Sequence, residues 1–402
     1  MTRRLFEGLK VLDFTWAAAG PITTKHLADG GATVVKVESS TYPDSVRLGG
    51  PYKDNKPGIN RSGFFADFNT SKQGIALDMK NAAAKEVILD LACWADVVAD
   101  SFRPGVLGRS GLGYDVMRER NPGLITLSTS LYGSDGPYSN HPGFGAQGAA
   151  LSGIHGQTGW PDRAPAAPKG AYTDSIAPRF ALAALSAALI HRERTGVGQH
   201  IEISQIESGV QFLAPELLQY QLDGVAAQRH GNDAQMAVHG AFPTAGSDCW
   251  IAIDATSDQS WTSLQRFFAD RGDPRLEDFD SEDRVLRMDA VHAIVGQLTA
   301  GFESAELARD LQKVGVATYP VNKGSDLMAD PVLRDSEHFT NLDHPEMGRL
   351  DYNGPAYRFQ HSTVELRSAA PCLGEHTHLV LGELLGYDEQ QISALEAAGA
   401  LR

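Results

Sequence analysis

The sequence predicts an α/β protein, with a large domain on a mostly parallel sheet interrupted by a smaller α+β domain. Two observations point there first. Short apolar runs alternate with helical stretches from residue 11 to 128, at the spacing of repeated βαβ units. At 402 residues the chain is also too long for one ordinary core, so two domains are expected. A third observation places the interruption: apolar periodicity fades near residue 221, and a different mixture of strands and helices follows.

In chain order, residues 11–14 read as a buried strand, 22–29 as a helix and 33–38 as the next strand. The pattern continues with a strand at 75–79, a helix at 82–95, a strand at 96–99, a helix at 114–120 and a strand at 124–128. A long apolar helix is expected from 175 to about 194, closed by a left-handed cap at Gly196, then a strand at 199–203 and a helix from 204. Being apolar almost all round, the long helix is expected to be buried. Residues 223–241 read as a connector. A strand at 250–253, helices at 258–268, 283–299 and 304–313, and a strand at 317–321 form the smaller unit. A loop-rich return over 337–371 leads to helices at 375–385 and 388–397. The expected division is 1–220 for the first part of the large domain, 221–245 for a linker, 246–325 for the small domain, and 326–402 for the return and closing part of the large domain.

Composition narrows the function. Lys and Arg total 35 against 50 Asp and Glu, a net charge of −15 that argues against nucleic acid or an anionic membrane as the main partner. Three scattered cysteines match no metal spacing or disulfide framework and suit a reducing compartment. With no leader-like segment and no stretch expected to span a membrane, the reading is of a soluble, cytoplasmic protein.

Ligands of parallel sheets sit off the carboxyl ends of the strands, which directs attention to the loops 15–21, 39–70, 101–113 and 131–148. The first of these reads AAAGP rather than G-x-G-x-x-G, and the chain has no Walker A sequence and no G-x-S-x-G elbow. Cations gather there instead: Arg47, Lys53, Lys72, Arg103 and Arg109, with Asn69, Ser101 and Phe102 beside them. In an acidic protein such a gathering fits a bound polyanion such as a nucleotide-like polyphosphate. Glu375, His376 and His378 lack a completing ligand, so no metal site is expected. Asp174 stands where a loop turns into the long helix. It reads either as an N-cap or as a carboxylate held beside a cleft as a nucleophile.

The ordered set LKVLDFTWAAAGP, GATVVKVES, FNTSKQGIALDMK, ADVVADSFRPGVLGRSGLGYD, NPGLITLS, YGSDGPY, RTGVGQHIEIS and LGEHTHLVLGELLGY resembles the family III CoA-transferases over essentially the whole chain. That superfamily includes formyl-CoA and carnitine CoA-transferases and the α-methylacyl-CoA racemases. The resemblance implies a Rossmann-like large domain and a ring-shaped chain in an interlocked homodimer. It also implies CoA transfer from an acyl-CoA to a free carboxylic acid, with no tightly bound cofactor. By the same resemblance Asp174 is the catalytic aspartate. The CoA contacts fall on Ala18, Ala19, Asn69, Thr70, Ser71, Lys72, Ser101, Phe102, Arg103 and Arg109. Two departures from the family matter: at Ser101 one side-chain contact to CoA is shortened, and at Ser39 one phosphate or adenine contact is lost or is supplied by Arg47.

Phe144 occupies the position at which the racemase branch has a histidine, so 2-methylacyl-CoA racemisation lacks one of its two acid/base groups. A non-catalytic CoA-binding homologue is the remaining alternative. Gly240 is expected to let backbone approach an acyl oxygen, and His239 to contact the acceptor acid or stand at the surface. The stretches TTKHLADGGATVVKVES, TGWPDR and GAYTDSIAPRF are most similar to the branch that handles succinyl-CoA and benzylsuccinate-type acids.

Overall fold

A computed structural model describes residues 3–168, 170–232 and 238–402. Six strands form the main sheet: β1 (Lys10–Phe14), β2 (Thr33–Glu38), β3 (Gln73–Ala76), β4 (Val97–Asp100), β5 (Ile125–Ser130) and β6 (His200–Ser204). All pairings are parallel, in the order β3-β2-β1-β4-β5-β6. That is the order of a doubly wound sheet, with its topological switch point between β1 and β4. Near-continuous apolar strands are what a sheet covered on both faces requires. Leu12, Phe14, Val35 and Ile75 pack beneath the helix Ala82–Trp94, with Val380, Leu381 and Ile392 of the C-terminal segment closing that core. On the opposite face Val11, Val34, Val97 and Ile125 meet Leu27 of helix α1 (Ala19–Asp29) and Leu185 and Ala188 of helix α2 (Tyr172–Thr195).

The described residues divide into two compact units. One comprises Met1–Ile154, Ala167–Gly224 and Arg334–Arg402, the other His155–Ala166 and Val225–Leu333. The second unit thus gathers an early excursion, which Arg229 ties down through Trp160 O and Arg163 O. Its three-stranded antiparallel sheet runs in the order Ala317–Pro320, Trp250–Asp254, His239–Pro243. Trp261, Phe267, Phe268, Val295 and Leu311 fill its core. The strand His239–Pro243 lies partly inside the stretch expected as a connector, of which residues 233–237 fall outside the described residues.

Several local expectations are corrected. The return segment carries an antiparallel hairpin, Phe339–His344 with Gly348–Asn353, whose mixed composition hides its alternation. The helix expected over 283–299 breaks at Arg287 (φ −117°, ψ 33°). The one expected over 375–385 becomes a short turn, Thr377–Leu379, and a wide π turn, Val380–Leu384. Helix α2 begins at Tyr172 and ends in the left-handed Gly196 (φ 74°). It is not buried all round: Ile176, Ala181, Leu185 and Ala188 face inward, while Phe180 and Ile190 are exposed. At 24 residues it is also long and apolar enough, by length and composition, to cross a membrane, against the expectation that no segment is. Here it covers the sheet beside α1.

Candidate active site

Asp174 lies in the first turn of α2, whose N-cap is Ala171, and the Asp174 N–H itself donates to Ala171 O (2.9 Å). The capping role is therefore ruled out: the residue sits three positions inside the helix. Its carboxyl is half-buried, and removal from water pushes its pKa up from 3.8 to about 6. A hydrogen bond from the Gln205 side chain works in the opposite direction. Gln205 is the first residue of helix α3 (Gln205–Val210), set by the Ser204 cap. Its Oε1 lies 3.2 Å from the Thr173 hydroxyl, which also reaches Gly145 O at 2.9 Å. Glycine is required at 145, since a Cβ there would lie 2.5 Å from Asp174 Cγ.

A cavity of about 260 Å³ opens onto Asp174. It draws residues from each loop singled out by the strand-end rule: Trp16–Ala19 from the first, Tyr42 and Ser45 from the second, Ser101 and Phe102 from the third, Leu131, Gly143 and Phe144 from the fourth. Trp16 and Tyr42, with ring centroids 5.2 Å apart, also line a second cavity of about 500 Å³ beyond the ends of β2 and β3. That cavity includes Glu38, Ser39, Leu77, Asp78, Met79 and Lys80. Phe102 meets the Trp16 ring edge-on at 5.4 Å.

The first loop is held by buried charges. Asp13 accepts from Thr15 N (2.8 Å) and Lys72 Nζ (3.0 Å). Lys36 Nζ donates to Thr15 O (2.5 Å) and pairs with Asp44 (3.1 Å). Asp44 accepts from Ala17 N (2.9 Å), which holds Ala17 in a left-handed conformation at φ 64°. The Ser101 hydroxyl lies 2.6 Å from Trp16 N and 3.1 Å from Trp16 O, so its side chain braces this loop. Burial penalises each of these charges, yet their partners prevail at three of them. Asp13 stays below the ordinary carboxylate range through Lys72 and Lys36, Lys36 is raised through Asp44, Asp13 and Glu38, and Glu38 is lowered through Arg47. At Lys72 burial prevails, and its pKa falls to about 8.

The five cations therefore divide. Arg47 is buried against Glu38 through two 2.8 Å contacts, and Lys72 donates to Asp13, Pro21 O, Thr24 and Asn69. Arg103 and Arg109 remain exposed and Lys53 partly so. Asn69, Thr70 and Ser71 also turn inward: Asn69 donates to Phe65 O, and the two hydroxyls reach Asp29. None of Asn69, Thr70, Ser71 and Lys72 lines either cavity, whereas Ala18, Ala19, Ser101 and Phe102 line the one at Asp174. His239 and Gly240 line a cavity of the second unit, His239 being 3.7 Å from Asp254.

The family model described as CoA-transferase family III matches residues 6–377. The chain belongs to this family. Among similar family III proteins, the succinyl-CoA:glutarate CoA-transferase of Mus musculus is 31% identical, the match covering 98% of this chain and 90% of that one. The succinyl-CoA:(R)-benzylsuccinate CoA-transferase subunit BbsE of Thauera aromatica is 30% identical, with 98% of each chain covered. A crystal structure of a CAIB/BAIF family protein from Brucella suis superposes with a TM-score of 0.85 at 28% identity, over 96% of this chain and 100% of that one.

Within this family III chain, sequence reasoning missed Gln205 and the residues 77–80, and it selected the loops of Trp16 and Tyr42 without naming those two rings. The strand-end rule that selected the other loops selects 77–80 once β3 is seen to end at Ala76 rather than Met79. Gln205 carried no signal, because it lies 31 residues from Asp174 along the chain and meets it only through packing.

Proposed function

We propose that this enzyme moves CoA from an acyl-CoA donor to a free carboxylic acid, using Asp174 as the covalent relay. The observation that carries this reading is a partly desolvated carboxylate at a cavity walled by the expected CoA loops. The nucleotide end of CoA is assigned to the cavity beyond β2 and β3, with Trp16, Tyr42 and Phe102 between it and Asp174. Arg103 and Arg109 are the exposed cations offered to phosphate. The inward-turned Asn69, Thr70, Ser71 and Lys72 support the ligand by holding the loop. The parallel order of the main sheet supports the Rossmann-like description.

Asp174 attacks the donor thioester carbonyl, the C–S bond breaks, and CoA leaves as thiolate from a mixed anhydride. The thiolate attacks the aspartyl carbonyl and releases the donor acid as carboxylate, leaving an aspartyl-CoA thioester. The acceptor carboxylate then attacks that thioester, and the expelled thiolate takes the new acyl group and frees Asp174. No net proton is consumed, and thioester energy is conserved. A carboxylate is a weak nucleophile, so a CoA held by its nucleotide end supplies rate through proximity. Phe144 at the cavity offers no second acid or base, which disfavours racemisation.

Succinyl-CoA is the proposed donor, since both named relatives use it. A homodimer, interlocked as the resemblance implies, is proposed for the assembly. Three free cysteines suit the cytoplasm. No step is assigned to His239 or Gly240. The test is incubation with succinyl-CoA and glutarate, mesaconate or benzylsuccinate, quenching in hydroxylamine and mass spectrometry of the Asp174 peptide. A hydroxamate at Asp174 during turnover is expected; turnover without it would overturn the covalent route.

A further inference from the structure

Thr129 lies in β5, is 2% exposed, and its hydroxyl has no hydrogen-bond partner among the described residues. Burying an unpaired hydroxyl is unfavourable, so such a group calls for an explanation. The place of this one supplies it. Leu127, two residues earlier, packs on Ala181 of α2, and alternation along the strand puts Thr129 on that same face. Asp174 occupies the first turn of α2, and both residues line one cavity.

Two other polar side chains lining that cavity are already engaged. Ser101 is held by both polar groups of the Trp16 backbone. Gln205 is shared between Thr173 and Asp174. Ser130 accepts from Gly133 N (2.9 Å) and, by the same alternation, stands on the opposite face of the strand from Thr129. Thr129, on the Asp174 side of the strand, has a free donor and no competing acceptor among the described residues.

We propose that the Thr129 hydroxyl donates to the acyl oxygen when Asp174 attacks the thioester, making Thr129 a catalytic residue. This rests on the Asp174 reading above. As the carbonyl carbon becomes tetrahedral its oxygen takes up the electron pair of the C=O π bond. When the C–S bond breaks, that pair returns and thiolate leaves. A fixed donor favours the oxyanion over the neutral carbonyl, so its contribution falls on kcat rather than on KM.

Thr129→Val keeps the shape of the side chain and removes only the hydroxyl. The expected result is a fall in kcat on the order of 100-fold, with KM for succinyl-CoA held within about twofold. The melting temperature should be unchanged or higher, because no protein partner is lost. Thr129→Ser should recover most of the rate. Retention of kcat within about threefold in Thr129→Val overturns the proposal, and so does a Thr129→Val protein that fails to fold, since the hydroxyl would then have a structural partner. Asp174→Asn separates the two ideas. If it is inactive while Thr129→Val works normally, only the Thr129 role falls; if Asp174→Asn turns over, the underlying reading falls as well.

Discussion

A carboxylate that must attack while ionised is held at Asp174 where ionisation is resisted, and that conflict has a measurable sign. Its folded pKa of about 6 lies above the ordinary 3.8, so the folded chain keeps the proton to higher pH than the unfolded one. Its effect on stability is least below pH 4 and becomes a growing penalty as pH rises through 6, reaching about 3 kcal/mol at pH 8. Asp174→Asn removes that charge. The variant is expected to melt higher than the parent at pH 8, with roughly half the advantage left at pH 5. An Asn variant that melts lower at pH 8 would show that the carboxylate is stabilising instead. The position of Asp174, at a loop-to-helix turn, was legible in the sequence, but its place three residues inside the helix was not. Gln205 and Thr129 come from other segments of the chain, and no local pattern marks a partner met only across the packed sheet.

At the scale of an element, the first loop shows what cation counting can and cannot tell. The loops beyond the strand ends were found from alternation alone, and all four contribute to the Asp174 cavity. Which way each basic side chain turns was not legible, because Lys72, just before β3, and Arg103, just after β4, both sit in polar stretches beside a strand. Lys72 points into the protein and neutralises Asp13, while Arg103 remains in solvent. The two should therefore fail differently. Lys72→Met leaves Asp13 buried without its nearest cation, and a stability loss of about 3–5 kcal/mol is expected. Arg103→Ala should leave the melting temperature unchanged and raise KM for acyl-CoA several-fold. Thermal unfolding and steady-state kinetics on the pair decide the matter: a Lys72→Met protein of native stability with weakened CoA binding would return that lysine to the ligand.

For the whole molecule, the alternation of strands and helices foretold a mostly parallel sheet. The hairpin at 339–353 and the excursion at 155–166 escaped, since neither carries a clean period of its own. One element remains unexplained by either unit alone. Helix α4 (Ala214–Asp223) has no buried residue, and Leu217, Leu218, Tyr220 and Leu222 lie open, Leu222 being 83% exposed. Exposed Phe180 and Phe212 meet edge to face at 6.4 Å. Several exposed large apolar side chains on one helix mark a surface built to be covered, and the proposed homodimer supplies the cover. Leu218→Glu combined with Leu222→Glu places two charges on that surface, where an unpaired charge strongly opposes burial. Sedimentation should then show the parent as a dimer and the double variant as a monomer at the same concentration. A parent that sediments as a monomer, or a double variant that still dimerises, would mean that this helix is not covered by a second copy of the chain.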